Sequence, residues 1–292
     1  MKGQFEIVKR RGRDELGEGP IWSPSEQAIY WVDIMKPAVH RLTLRDGAIR
    51  SWTMPEMIGW VIERAHRPGF IAGFASGFAE LTLDPLAIKP IGDPEPELPN
   101  NRMNDAKVDA VGRIWAGTMD TDAASPVGSL YRLDPDHRWH RMDQGYQVTN
   151  GPTFSPDGKL LYHTDSYGRT IYRFELRPDG TLAEKKSLIT FTEEMGYPDG
   201  MTTDIEGCLW VTHFGGGRVT RYSPQGKVVR IVPLPASQIT SCVFGGPDLD
   251  RMFVTSAYCG LTDAALASEA QAGALFEIDP GVRGIAPVPF AG

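Results

Sequence analysis

Short segments that alternate apolar and polar residues around an aromatic or aliphatic centre recur along the whole chain. They stand at A-I-Y-W-V-D-I from Ala28, G-F-I-A-G-F from Gly69, R-I-W-A-G-T-M from Arg113, L-L-Y-H-T-D-S from Leu160, C-L-W-V-T-H-F from Cys208 and R-M-F-V-T-S-A from Arg251. With Tyr30, Ile71, Trp115, Tyr162, Trp210 and Phe253 taken as equivalent, the intervals are 41, 44, 47, 48 and 43 residues. That is the length of one propeller blade. Turn-forming strings such as S-P-S-E-Q, D-A-V-G, S-P-D-G, D-I-E-G and G-P-D-L-D precede most of these segments, and a further alternating strand follows each. One stretch, Thr262 to Ala272, has a helical pattern and falls in a loop between strands; the regular helices of an α/β fold are missing. The pattern predicts an all-β fold, a six-bladed β-propeller, with residues 1–292 as one domain. A strand near Gln4 to Val8 is predicted to pair with the last blade and close the ring, leaving few open sheet edges.

In a propeller the first strand of each blade lines a central channel. Counting back 11 or 12 positions from each marker reaches Glu18, Gly59, Asn104, Asn150, Asp199 and Ser241. Asn-Gly and Asp-Gly are also ordinary turn dipeptides, yet turns alone do not require polar residues at the same phase of different repeats. Two carboxylates and an amide meeting in a channel repel unless a cation lies between them. The ring therefore predicts one divalent metal held by Glu18, Asn150 and Asp199. All three ligands offer oxygen, which favours Ca²⁺, Mg²⁺ or Mn²⁺, with Zn²⁺ or Fe²⁺ open on intrinsic affinity. Three protein ligands leave positions free for water and substrate, the arrangement that Lewis-acid catalysis needs.

Composition narrows the partners. The chain has 30 Lys+Arg against 37 Asp+Glu, a formal net charge of −7, which gives no reason to expect binding to nucleic acid or to an anionic membrane surface. Gly (32) and Pro (23) are abundant without any low-complexity stretch, as a fold with many tight turns requires. The first ten residues hold no apolar run of signal-peptide length and no later run reaches membrane-spanning length, so a soluble protein that is not exported is expected. The three cysteines, Cys208, Cys242 and Cys259, lack metal-type spacing and fit a reducing, cytoplasmic location. A monomer or weak homo-oligomer is expected.

The strings L-G-E-G-P-I-W, N-R-M-N-D-A-K-V-D-A-V-G-R-I-W-A-G-T-M, T-N-G-P-T-F-S-P-D-G-K-L-L-Y, Y-P-D-G-M-T-T-D-I-E-G-C-L-W-V and S-C-V-F-G-G-P-D-L-D resemble the SMP-30/gluconolactonase/luciferin-regenerating-enzyme family. The ending G-V-R-G-I-A-P-V-P-F-A-G is similar to its regucalcin-like branch, so the resemblance runs from about Leu16 to the C-terminus. It implies a six-bladed propeller with one catalytic divalent cation, and it places the metal-binding residues on Glu18, Asn150 and Asp199. It further implies that Arg102 and Asn104 contact substrate, with an acidic contact at Asp122 or its neighbour Asp120. Ala106 stands where the family usually has glycine, Met103 where an aromatic is common and His163 where an apolar or aromatic residue is usual. The first two flank the substrate-contacting positions, so they bear on which substrate is taken.

The activity expected from these residues is that of a hydrolase on carboxylic esters, opening an aldonolactone, a small sugar lactone, to its aldonic acid. Asp199 is the expected general base, a role worth about 10²–10⁴-fold, while Arg102 and Asn104 fix the sugar ring. A phosphotriesterase or esterase using the same metal, and a non-catalytic calcium-binding regulator, are the alternatives. Among other residues, His163 and His213 are expected to be packed or exposed, Trp60 to pack in the core, and Asp33 and Asp165 to bond buried backbone of neighbouring blades. No G-x-S-x-G nucleophile motif is present.

Overall fold

A computed structural model describes residues Phe5–Gly292. Gln4, the first residue of the expected closing strand, lies outside the described residues. The described chain forms 24 strands in six four-stranded antiparallel sheets, a six-bladed β-propeller. The inner strands are Gly17–Ser23, Ile58–Glu63, Asn101–Val108, Thr149–Phe154, Tyr197–Thr203 and Ile239–Gly245, in blades one to six. Each following strand pairs with its predecessor, so five blades are simple meanders. The sixth is completed by the other end of the chain: Phe5–Ile7 pairs with Phe276–Ile278, with Phe5 opposite Ile278 and Ile7 opposite Phe276. That is the closure expected of a strand near Gln4 to Val8.

Burial falls from the axis outward. Second strands such as Ala28–Asp33 and Ile114–Asp120 are buried along their whole length because both faces meet a neighbouring blade. Outer strands such as Val228–Pro233 are mostly exposed. The core consequently divides into six apolar clusters, one in each wedge between consecutive blades. Trp22, Ile29 and Trp31 of blade one meet Val243 and Phe253 of blade six in the wedge that closes the ring. Trp60 packs in the wedge between blades two and three.

Two turns carry the same device. Asp109 Oδ2 accepts the Trp115 indole N–H (2.9 Å) and Arg113 Nε (2.7 Å), while its Oδ1 accepts the Val111 and Arg113 backbone N–H groups. Asp204 Oδ2 accepts Trp210 Nε1 (2.9 Å) and Arg221 Nε (2.8 Å), and its Oδ1 accepts the Glu206 and Cys208 N–H groups. The D-x-x-G-x-x-W spacing thus ties a tight turn to the buried strand after it.

Asp33 and Asp165 are also turn-holding carboxylates, with one difference from expectation. Asp33 accepts from the N–H groups of Glu15, Leu16, Met35 and Lys36, and Asp165 from those of Gln147, Val148 and Gly168. These donors flank each Asp's own blade. The reason is local: both carboxylates end a second strand, where the chain turns back beside the entry to the first. The helical stretch is shorter than its pattern, spanning Asp263–Ser268 behind a Thr262 cap whose hydroxyl accepts from Ala265 N–H (3.3 Å). No helix among the described residues is long and apolar enough to cross a membrane.

Candidate metal and substrate site

All six inner strands break register near the predicted channel positions, between Glu18/Ile21, Ile58/Trp60, Met103/Ala106, Asn150/Thr153, Pro198/Met201 and Ile239/Cys242. A bulge bends the strand and re-aims the side chains beside it. Here the bend occurs where six strands converge, leaving little room between backbones. A Cβ on Gly19, whose φ is +51°, would lie 2.9 Å from the Gly59 carbonyl oxygen, and one on Gly59 would lie 2.7 Å from the Asn104 carbonyl oxygen. Gly59 therefore occupies its ring position for close approach, not for chemistry. In blade six the equivalent residue is Thr240 and not Ser241. Phe253 pairs with Val243, three residues after Thr240, as Tyr30 pairs with Ile21, three after Glu18.

Three of the expected residues, Arg102, Asn104 and Asn150, are linked in one buried chain that ends on Ser166. Arg102 Nη1 donates to Asn104 Oδ1 (2.7 Å) and to the Met103 carbonyl (3.0 Å). Asn104 Nδ2 donates to the Thr149 carbonyl (2.6 Å) and to Asn150 Oδ1 (3.0 Å), and Asn150 Nδ2 donates to Ser166 Oγ (2.9 Å). This relay turns the Asn150 oxygen toward Asn104 and leaves it accepting capacity. Ser166 was not singled out from sequence because it lies beyond the repeat positions, on the turn after a second strand.

Glu18 and Asp199 are the acidic side of the site. Burial, reinforced by the Asp105 carboxylate, pushes Glu18 up to about 8 against the Gly19 N–H and Arg102. Burial and the charges of Glu18 and Asp105 likewise hold Asp199 well above the usual carboxylate range. Asp199 Oδ1 is buried and has no hydrogen-bond partner, and Glu18 accepts from its own neighbour Gly19 N–H (3.0 Å). Buried acceptors in this condition need a proton or a cation. Arg102 is the counter-charge, with its own value lowered to about 10 by burial. Its Nε–H is buried without a partner.

Asp105 is the residue that sequence reasoning passed over. Its neighbour Asn104 filled the ring position, yet Asp105 is equally buried and accepts from Ala106 N–H (2.7 Å). An acid in the middle of an inner strand was the available signal. Asp120 and Asp122 are not drawn into the hydrogen-bonded chain. Asp120 ends its strand buried and accepts the Asp122 N–H (2.9 Å), while Asp122 is exposed on the following loop. Cys259 was read only as a compartment marker. It sits half-buried near Arg102 and Asp199, and its thiol is pushed up to about 11 by burial, reinforced by the Asp199 charge.

The donor set suits a hard divalent cation: two carboxylate groups and an amide oxygen, an orphaned buried carboxylate oxygen among them, and one cationic neighbour for three acids. No cluster of three His, Cys, Asp or Glu side chains placed to hold a metal occurs among the described residues.

The family model for the SMP-30/gluconolactonase/LRE-like region matches residues 16–258. The chain belongs to this family. Among its members, the chain is 36% identical to regucalcin of Danio rerio over 98% of this chain and 97% of the relative. It is 37% identical to the 6-deoxy-6-sulfogluconolactonase of Pseudomonas putida over 95% of each. The fold superposes on the solved luciferin-regenerating enzyme with a TM-score of 0.93 at 32% identity, covering 99% of both chains. On the calcium-binding protein regucalcin from Agrobacterium tumefaciens the TM-score is 0.92 at 28% identity, over 98% of this chain and 96% of that one. Met103 and Ala106, the two residues expected to bear on substrate choice, are both buried.

Proposed function

We propose that this chain is a metal-dependent lactonase that opens an aldonolactone to the aldonic acid. The observation that carries the reading is the meeting of two buried carboxylates, Glu18 and Asp199, that Arg102 alone offsets in charge, with the Arg102–Asn104–Asn150 relay. Glu18, Asn150 and Asp199 would hold a divalent cation such as Ca²⁺, Zn²⁺, Mg²⁺, Mn²⁺ or Fe²⁺. A bound cation supplies Lewis-acid polarisation of the ester carbonyl. Arg102 uses its unpartnered Nε–H to hydrogen-bond substrate oxygen, and Asn104 fixes the direction of the guanidinium. Asp199 takes the proton of the attacking water at Oδ1, the oxygen that has no partner. Water oxygen bonds to the carbonyl carbon, the ring C–O bond breaks, and the ring oxygen leaves with a proton as the new hydroxyl. Asp120 and Asp122, at the end of a strand beside Arg102 and on its loop, are the proposed outer contacts of the sugar.

Support comes also from the relative named as a sulfogluconolactonase, which matches along 95% of both chains. Relatives named regucalcin favour a second reading, a calcium-binding regulator. A buffer has no use for a buried arginine and an oriented amide beside the ion, so the lactonase reading is preferred. Hydrolysis of a panel of aldonolactones, followed with a pH indicator after chelation and after return of single metals, tests it. Turnover of at least one lactone that disappears on chelation is expected; no turnover with any lactone and any metal would overturn it.

A further inference from the structure

The inner strands leave the Glu18 and Asp199 end of the channel and emerge at the opposite face, where they line a cavity of about 500 Å³. That volume falls in the range of small-molecule pockets. The third residue after each ring position, Ile21, Ile62, Lys107, Thr153, Thr202 and Val243, contributes to its wall, so every blade takes part.

A strap roofs this chamber. On one side Ile205 N–H donates to the Arg283 carbonyl (3.1 Å) and Gly284 N–H to the Leu249 carbonyl (2.8 Å). On the other, Phe290 N–H donates to the Glu63 carbonyl (2.8 Å) and Ala291 N–H to the Gly112 carbonyl (3.0 Å). Between these pins residues 285–289, I-A-P-V-P, line the cavity with no backbone hydrogen bond among the described residues. Two of the five are prolines that have no N–H to give, and Ile285 and Val288 are 40% and 37% exposed. A segment pinned at both ends and free between them keeps its apolar side chains over the opening.

The charges in the wall are unequal in their commitments. Glu63 accepts the Ser23 hydroxyl (2.6 Å). Arg64 faces Glu80 (3.5 Å) and the Gly292 carbonyl (3.2 Å). Lys107, half-buried, has no ion pair and no side-chain hydrogen bond among the described residues, and the acid its charge reaches, Asp105, lies buried without touching it. A cation among Ile21, Phe154, Val243, Phe244 and the strap is complementary to one negative head carried on an apolar body.

We propose that this far mouth is a second ligand site, distinct from the Glu18–Asp199 site, for a small amphipathic organic anion. Its carboxylate or sulfonate lies on Lys107 Nζ, and its apolar body lies between Phe154, Phe244 and the side chains of Ile285 and Val288. The site does not depend on the lactonase reading, since it shares none of the residues proposed there.

The test uses the full chain with 8-anilinonaphthalene-1-sulfonate as a fluorescent apolar anion, octanoate as competitor and octanol as its neutral counterpart. One saturable site per chain is expected, displaced by octanoate and not by octanol, and unaffected by chelation of divalent metal. Lys107→Met should weaken binding by about tenfold or more. Ile285→Asp, which places a like charge on an exposed strap residue, should weaken it with the melting temperature unchanged. Absence of saturable binding, equal displacement by octanol, or undiminished affinity in Lys107→Met overturns the proposal. Should Lys107→Met fail to fold, undiminished affinity in Ile285→Asp does the same.

Discussion

The chemistry proposed for this chain rests on a few side chains whose surroundings deny them solvent. Asp199→Asn keeps the shape and removes the base and one negative charge, so lactone hydrolysis in metal-replete buffer should fall by about 10²-fold or more. Arg102→Ala should act mainly on substrate binding, lowering kcat/KM by about tenfold or more through KM; initial-rate kinetics across a substrate range separate the two. Away from the site, His163 is wholly buried, both ring nitrogens lack partners, and burial pushes its value from 6.5 down to about 3. The folded protein thus resists a proton that the unfolded chain accepts, so its contribution to stability is intact above about pH 6.5 and is lost as the pH falls toward the folded value. His213, lowered to about 4 for the same reason, adds to the trend. Urea midpoints at about pH 7 and about pH 5 should differ in the native chain and differ less in His163→Phe, whose ring fits the same packing against Tyr146 without titrating. Most of this chemistry was legible beforehand, because ring symmetry puts residues of equal phase together. Asp105 was not, since counting selects one residue per blade and two adjacent acidic or amide side chains fall on the same bulge.

Strands and turns show a similar division between what spacing reveals and what geometry adds. The markers from Tyr30 to Phe253 locate every second strand because blade length is nearly constant. The bulge in each inner strand leaves no mark in an apolar-polar alternation, and it moved the blade-six ring position from Ser241 to Thr240. The turn strings D-A-V-G and D-I-E-G read only as reversals, whereas the structure makes each Asp a four-way acceptor tied to a tryptophan and an arginine. Asp109→Ala leaves the Trp115 N–H and a nearly buried guanidinium without an acceptor, and should cost about 3 kcal/mol in denaturant unfolding. Asp204→Ala should cost a similar amount. As the two lie in blades three and five with no shared partner, their effects should add within about 0.5 kcal/mol in the double variant. A large shortfall from additivity would mean that the blades share more than their common axis.

The ring as a whole is held by six apolar wedges and by one strand from the far end of the sequence. Phe5 edges onto Phe276, and deletion of residues 1–8 would remove that contact and open the edge of Phe276–Ile278. A loss of about 2 kcal/mol or more, read as a lower unfolding midpoint with greater aggregation, is expected. The closed ring is also what makes a shared site from residues as distant as Glu18 and Asp199, where three buried acids face one arginine. The most direct test of the proposed function is calorimetric titration of the chelated protein with Ca²⁺ or Zn²⁺, run beside lactone hydrolysis on the same samples. One binding site per chain is predicted, with hydrolysis rising in proportion to its occupancy and both signals lost in Glu18→Gln. Hydrolysis that proceeds undiminished in the metal-free protein, or one-site binding that persists unchanged in Glu18→Gln, would contradict it.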